Sequence, residues 1–325
     1  MRKYLNGGNI PLAVAVFLAT DNYDYDSETL SATSLIKPLR QLILSSRVPQ
    51  EDALVDISNL VKSRLGNAIH DGIERAWLDN YDLAMKHLGY PERLISRVKV
   101  NPTDEQLKLF PDAVPVYLEQ RMHKSILGKK ISGKFDFVAE GQVEDFKSTS
   151  VFTYVNNTKE DDYILQGSIY RWLDPKKITS DQMRIHFIFM DFQASRSREP
   201  GYPANQVLSV PYKLMSLEAT EAYVSKRIHL IDFYKDAPED QLPLCTDKEL
   251  WRKAPHWKYY KNPEKMSRST KNFDTAQEAY ARQAADKSVG IVVERPGEVV
   301  ACKYCPGYSL CSQKDALIAD GSLII

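Results

Sequence analysis

Residues 114–149 read VPVYLEQRMHKSILGKKISGKFDFVAEGQVEDFKST, and this stretch constrains the fold more than any other. Short apolar runs alternate with polar residues and break at Gly128, Gly133 and Gly141. Alternation with glycine punctuation predicts three or four antiparallel strands. A helical pattern follows at 162–173, DYILQGSIYRWL, and stops before Asp174 and Pro175. RIHFIFMDF at 184–192 predicts a buried strand, and NQVLSVPY a further one. Residues 29–46, 57–78 and 216–235 have helical spacing, with Pro38 as a kink in the first. In the second, Ile57, Leu60, Val61, Leu65, Ile69, Ile73 and Trp77 share an apolar face. This order predicts an α/β or α+β core with a central mixed β-sheet flanked by helices.

Composition narrows the function classes. The chain has 325 residues, and Lys+Arg and Asp+Glu both number 43. Zero net charge excludes a generally basic nucleic-acid binder, so any affinity for a polyanion comes from local patches or metal. The run PLAVAVFLA is too short to span a membrane, and no convincing cleavage site follows it. It predicts a buried strand or helix segment. No membrane partner is expected, and the expected location is the cytoplasm.

The four cysteines, Cys245, Cys302, Cys305 and Cys311, all lie in the last quarter. A tight cluster in a cytosolic chain points to metal rather than to a disulfide framework. Four thiolates suit either a [4Fe–4S] cluster or structural Zn²⁺, which would staple the C-terminal segment onto the core. The loop that the cysteines close, WRKAPHWKYYKNPEKMSRSTKN, is basic and aromatic without a clean period. Arg252, Lys253, Trp257, Lys258 and Tyr259 there could hold a single strand by phosphate contact and base stacking. A solvated linker whose aromatics pack on the domain is the equal alternative. A short helix from Asp274 and a hairpin around ERPGE complete this region. The predicted divisions are an N-terminal segment at 1–56, a core at 57–235 and a metal-stapled subdomain at 236–325.

Within the meander, Asp145 and Lys147 are spaced D-x-K and share one strand face with Val143, while Glu144 and Phe146 take the other. A turn at Gly141 folds Asp136 back beside Asp145. Two carboxylates at one edge can hold Mg²⁺ or Mn²⁺ through oxygen, and an adjacent lysine can orient a water. By itself D-x-K is common in long chains and reads as an exposed charged strand.

Its neighbours change that reading. Gly133 with Asp136, Asp145 with Lys147, and Gln166 with Tyr170 form an ordered series, preceded by Gly66 to His70 in GNAIH. The series resembles the PD-(D/E)XK nuclease superfamily, specifically its RecB-like branch, over roughly residues 30–192. LSATSLIKPLRQ and SRLGNAIHDGIERAW look like nucleases of tailed bacteriophages, which would place the chain in the host cytoplasm. The C-x2-C-x5-C tail is similar to that of the AddB subunit and the CRISPR adaptation nucleases. Those families carry their first cysteine N-terminal to the core. Here the comparable helix reads IKPLRQ, and Cys245 follows the core instead.

The resemblance implies a restriction-endonuclease-like core and a metal-dependent DNA exonuclease of phage recombination, replication or repair. It implies Asp136, Asp145, His70 and the Phe146 carbonyl as ligands of Mg²⁺ or Mn²⁺, with Glu119 matching an acidic residue of the first core strand. Lys147 would position the nucleophile, and Gln166 and Tyr170 would contact the substrate or the catalytic residues. The partners would be single-stranded DNA or duplex ends, together with a recombination or helicase protein. A catalytically inactive DNA-binding module and an endonuclease of the same superfamily are the alternatives.

Overall fold

The computed structural model describes residues 3–20, 28–49 and 54–324. In chain order these give β1 (Lys3–Leu5), α1 (Leu12–Ala19), β2 (Leu30–Ser31), α2 (Ala32–Ile36), α3 (Leu39–Arg47), β3 (Leu54–Asp56), α4 (Val61–Asp79), α5 (Tyr81–His87) and α6 (Glu92–Ile95). Next come β4 (Val98–Val100), α7 (Asp104–Leu109), β5 (Val114–Leu118), β6 (Arg121–Ile126), β7 (Lys129–Lys134), β8 (Phe137–Ala139) and β9 (Gln142–Thr149). Then follow α8 (Val151–Val155), α9 (Glu160–Leu173), β10 (Gln182–Phe189), β11 (Val207–Lys213) and α10 (Leu217–Tyr234). The last elements are β12 (His256–Tyr260), β13 (Lys271–Phe273), α11 (Ala276–Ala285), β14 (Ile291–Arg295) and α12 (Ser312–Ala319).

The chain divides into two compact units, residues 1–36 with 54–229, and residues 37–53 with 230–325. The first unit is a mixed α/β structure around a six-stranded sheet of order β11-β10-β9-β8-β5-β4. β9 and β10 run parallel, as do β4 and β5, and the other neighbours are antiparallel. One face carries Val98, Val116, Leu118 and Phe137 against Trp77, Tyr81 and Met85 from α4 and α5. On the other, Val143, Met183, Ile185, Phe187 and Phe189 alternate inward and are buried, as are Ile169 and Trp172 of α9. That alternation is the period the sequence displays.

The predicted meander is five strands, divided between two sheets. β6 and β7 pair with each other and with β2 in a separate three-stranded sheet. The two sheets meet at a bend where β5 passes into β6 and β7 into β8. Backbone bonds continue through it, from Glu119 N–H to the Asp136 carbonyl (3.0 Å) and from Phe135 N–H to the Gln120 carbonyl (3.3 Å). Beyond it, Glu140 (φ 49°) and Gly141 (φ 76°) close the β8–β9 hairpin. Two left-handed residues in a two-residue loop match the twist of the flanking strands. Phe137 lies opposite Glu144 in this hairpin, which sets Asp136 beside Asp145.

The predicted helix at 29–46 is not continuous. α2 ends at Ile36 and α3 starts after Pro38, because proline has no N–H to extend a helix and its predecessor avoids helical geometry. The N-terminal apolar run forms α1, as a helix and not a strand. Leu18 is its buried residue, while Leu12, Val14, Val16 and Phe17 are exposed, so the expectation of a buried segment fails. Among the described residues no helix is long and apolar enough to cross a membrane.

The second unit holds α3, the C-terminal part of α10, and a three-stranded sheet of order β13-β12-β14 with α11. The basic aromatic stretch is therefore not a linker, since it supplies β12 and β13, although its burial does not alternate. No hairpin forms around ERPGE. β14 pairs with β12 instead, and no strand follows Arg295 among the described residues.

Candidate functional site

β9 places Asp145 and Lys147 on the face toward α9. Asp145 is 1% exposed, and the Lys147 ammonium lies 2.6 Å from its Oδ2. Lys147 is the donor beside Oδ2, and Oδ1 has no hydrogen-bond partner among the described residues. Burial pushes the Asp145 carboxyl up to about 6, against the pull of Lys147 and with the help of the neighbouring Asp136 charge. Burial alone would lower the Lys147 pKa, but the charges of Asp145 and Asp136 outweigh it and raise it. A buried carboxylate with open lone pairs is costly unless a cation or donors reach it.

Lys147 is held from the other side by α9. Its ammonium donates to Gln166 Oε1 at 3.4 Å, and Gln166 Nε2 donates to the Tyr170 hydroxyl at 2.8 Å. Residues four apart on a helix lie on one face, so the Q-x-x-x-Y spacing delivers both side chains in line. The ring of Tyr163, one helical turn before Gln166, lies 5.8 Å from the Lys147 ammonium.

α4 contributes His70. Its Nδ1 lies 3.3 Å from Asp136 Oδ2, and its Nε2 lies 2.9 Å from the Phe146 carbonyl. Burial lowers the His70 pKa, but the hydrogen bond and charge of Asp136 more than offset this and raise it. Gly66 makes the approach possible. A Cβ there would meet Ser148 Oγ of β9 at 3.0 Å, tighter than most packed contacts. Asp136 also accepts the Phe146 N–H at 3.2 Å, so the residue between Asp145 and Lys147 is held from both of its peptide groups. Its ring packs edge-on against His70 and Phe137 and stacks on His186 at 5.5 Å.

Glu119 sits just past the end of β5, at the bend, with φ 50°. Few non-glycine residues adopt this left-handed region. Its carboxylate pairs with Lys134 at 2.6 Å, and its pKa is raised by burial, with Lys134 opposing and the Asp136 charge adding. Ligand atoms of His70, Glu119 and Asp136 all lie within 4.8 Å of one another. Asp145 stands outside this trio but couples to its charges. The donor set suits a hard divalent cation. Adjacent ligands of an octahedral ion with bonds of ~2.1 Å are about 3 Å apart, close to the spacing of His70 Nε2 and the Phe146 oxygen.

Glu144 takes the strand face opposite Asp145. Its carboxylate meets His186 Nε2 at 2.7 Å, and His186 Nδ1 meets Ser209 at 2.6 Å, so it belongs to a cross-strand polar row. Lys134 reaches Glu119, and His186 the Phe146 ring, only through strand pairing, which no local pattern encodes, and Tyr163 carries no motif of its own.

In the second unit, Cys245, Cys302, Cys305 and Cys311 are free, half-buried thiols. Burial pushes the Cys245 thiol up to about 12, and the nearby Glu249, Cys311 and Cys305 add to the shift. Burial likewise raises Cys302 and Cys305, each under the influence of Cys311. The Gln313 side chain ties Cys245 to α12 through two 2.9 Å hydrogen bonds, one to its N–H and one to its carbonyl. On α3, Arg40 is 2% exposed, and its Nε lies 3.2 Å from Cys311 Sγ. The same guanidinium pairs with Glu239 and donates to the Leu242 carbonyl at 3.0 Å. The helix that carries no cysteine thus brings a cation to Cys311.

The basic aromatic residues are largely committed elsewhere. Tyr259 is a correction, since its ring is fully buried and its hydroxyl donates to Asp286 (3.0 Å) and the Val289 carbonyl (2.9 Å). It has no face left for a base. Arg252 pairs with Asp247 and Lys253 with Glu298, both at 2.6 Å. Trp257 and Lys258 lie half-buried on β12.

No protein-family model matches the chain, and no curated protein matches it in sequence. Among solved structures it is similar to SSO0001, with a TM-score of 0.41 and 14% identity, covering 68% of this chain and 87% of that one. It is also similar to a phage related exonuclease from Haemophilus somnus 129PT, with a TM-score of 0.28 and 14% identity, covering 64% of this chain and 93% of that one. Likenesses of this size carry no argument about activity.

Proposed function

We propose that the chain is a metal-dependent deoxyribonuclease of the PD-(D/E)XK superfamily, in its RecB-like branch, acting as an exonuclease on DNA ends. One observation carries the reading. His70, Glu119 and Asp136, from three separate segments, form a close trio, and the buried Asp145 of a fourth, paired with Lys147, feels the charges of Asp136 and His70. A structural ion pair would need none of the trio beside it.

His70, Asp136, Asp145 and the Phe146 carbonyl would hold Mg²⁺ or Mn²⁺, with Glu119 alongside. When bound, the ion supplies a water of lowered pKa and polarises the phosphodiester. Lys147 orients the attacking water and offsets the negative charge on the phosphoryl oxygens of the pentacovalent transition state. Gln166 and Tyr170 keep the Lys147 ammonium from swinging away, and Tyr163 closes it from the side. The exonuclease preference follows from the RecB-like resemblance. The four cysteines would take a [4Fe–4S] cluster, with structural Zn²⁺ as the alternative, and the loaded site would contribute to the folding of the second unit. A brown anaerobic preparation containing iron supports the cluster, whereas a colourless protein with one equivalent of zinc supports zinc.

Asp145→Ala and Lys147→Ala are expected to abolish Mg²⁺-dependent cleavage of end-labelled DNA while circular dichroism shows an intact fold. Wild-type cleavage rates in either pure variant contradict the assignment.

A further inference from the structure

We propose that a cavity of about 600 Å³ beside the N-terminal end of α9 seats one unstacked nucleobase of the bound DNA strand. The inference rests on the nuclease reading and adds a substrate subsite to it. The cavity is lined by Tyr154, Asn157, Glu160 and Ile164 from the α8–α9 region and by Tyr212 and Lys213 from β11.

Its place follows from strand register. Asp145 lies level with Ile185 and Val210, and Val143 with Met183 and Tyr212. Residues two apart on a strand share a face, so Tyr212 points to the same side of the sheet as Asp145 and Lys147. Tyr163 bridges the two places. The Lys147 ammonium is 5.8 Å from the Tyr163 ring, and that ring is 6.1 Å from the Tyr212 ring. Two ring-sized steps therefore separate the cavity from the proposed catalytic lysine. β11 is the edge of the six-stranded sheet, so a strand reaches the cavity from the side without threading.

The walls suit a base better than a phosphate. Tyr154 is backed by Phe187 at 5.3 Å and Phe189 at 5.5 Å, which gives it a fixed ring. Burial, Glu160 and Tyr154 raise the Tyr212 pKa, so its phenol stays neutral and able to donate. Glu160 lies in the cavity wall with Asn157 donating to its carboxylate, and this charge repels a phosphate inside. Among the described residues, Lys213 is the lining cation, and it is exposed, where the backbone of a strand would pass. Aromatic walls with one cation at the mouth match the stacking mode by which proteins hold single strands.

The test measures binding without cleavage. Fluorescein-labelled single-stranded oligonucleotides are titrated with full-length protein in EDTA, with one abasic sugar moved along the strand. Wild type is expected to lose affinity about tenfold when the abasic sugar occupies one particular position, the loss of a stacked base. Tyr212→Leu should bind the unmodified strand about tenfold more weakly and be indifferent to the abasic sugar there. Tyr212→Phe, which keeps the ring, should restore binding. Val155→Trp places a bulky ring at a 49% exposed lining position, outside the core, and should block the cavity and reproduce the loss. Equal affinity and equal abasic sensitivity in wild type and Tyr212→Leu overturn the proposal, as does a wild type that binds no strand. Failure of the nuclease reading looks different, as a wild type that binds with the predicted pattern yet leaves DNA uncut in Mg²⁺ and Mn²⁺.

Discussion

At the scale of single residues, the site turns on where one proton sits. The folded pKa of Asp145 is about 6, raised from 3.8 by burial. The metal-free folded state therefore binds this proton more tightly than the unfolded chain does. Its contribution to stability is full below pH 3.8 and is lost as pH rises through about 6. A divalent ion competes with the same proton and favours the charged form. The gain in melting temperature on adding Mg²⁺ should thus be small at pH 5 and grow as pH rises through about 6. A gain independent of pH contradicts a metal role for Asp145. Period-two alternation was enough to place Asp145 and Lys147 on one face and Glu144 on the other. Glu119 is a different case, because its carboxylate joins His70 and Asp136 only through a left-handed residue at a strand bend. Backbone conformation of that kind leaves no trace in an alternating pattern.

At the scale of elements, α4 and α9 position the chemistry from opposite faces of β9. α9 acts through Gln166 and Tyr170, whose spacing along one helix face is visible in sequence. α4 acts through closeness, and Gly66 permits it. Gly66→Val should push α4 off Ser148 at a cost of about 1–3 kcal/mol in stability. Moving His70 by about 1 Å should lower Mg²⁺-dependent cleavage roughly a hundredfold. Thermal melting and cleavage rates measured together check both, and unchanged cleavage contradicts the positioning role of α4. The basic aromatic stretch shows how an element escapes sequence reading. His256–Tyr260 becomes a strand by pairing with Ile291–Arg295 more than thirty residues later, and that partnership turns Tyr259 from a surface aromatic into core.

At the scale of the whole molecule, the helical region around Pro38 is shared between two units, and the cysteines lie in the second. Sequence shows the four cysteines but not Arg40, whose approach to Cys311 depends on chain segments more than 270 residues apart. Removing one partner of a buried ion pair typically costs about 3–5 kcal/mol. Arg40→Met should therefore lower the melting temperature and the metal content per chain together. Full metal content in a stable Arg40→Met protein contradicts a role for the guanidinium at the sulfurs. Chelation should likewise leave the second unit more open to limited proteolysis than the first. The central claim concerns the first unit, and one measurement tests it most directly. Purified protein is incubated with Mg²⁺ and 5′- or 3′-labelled linear DNA or covalently closed circular DNA. The account predicts stepwise loss of the linear substrate from one labelled end, intact circles, and no reaction in EDTA or with Lys147→Ala. Linear DNA left whole in both Mg²⁺ and Mn²⁺, or degraded equally well by Lys147→Ala, would contradict it.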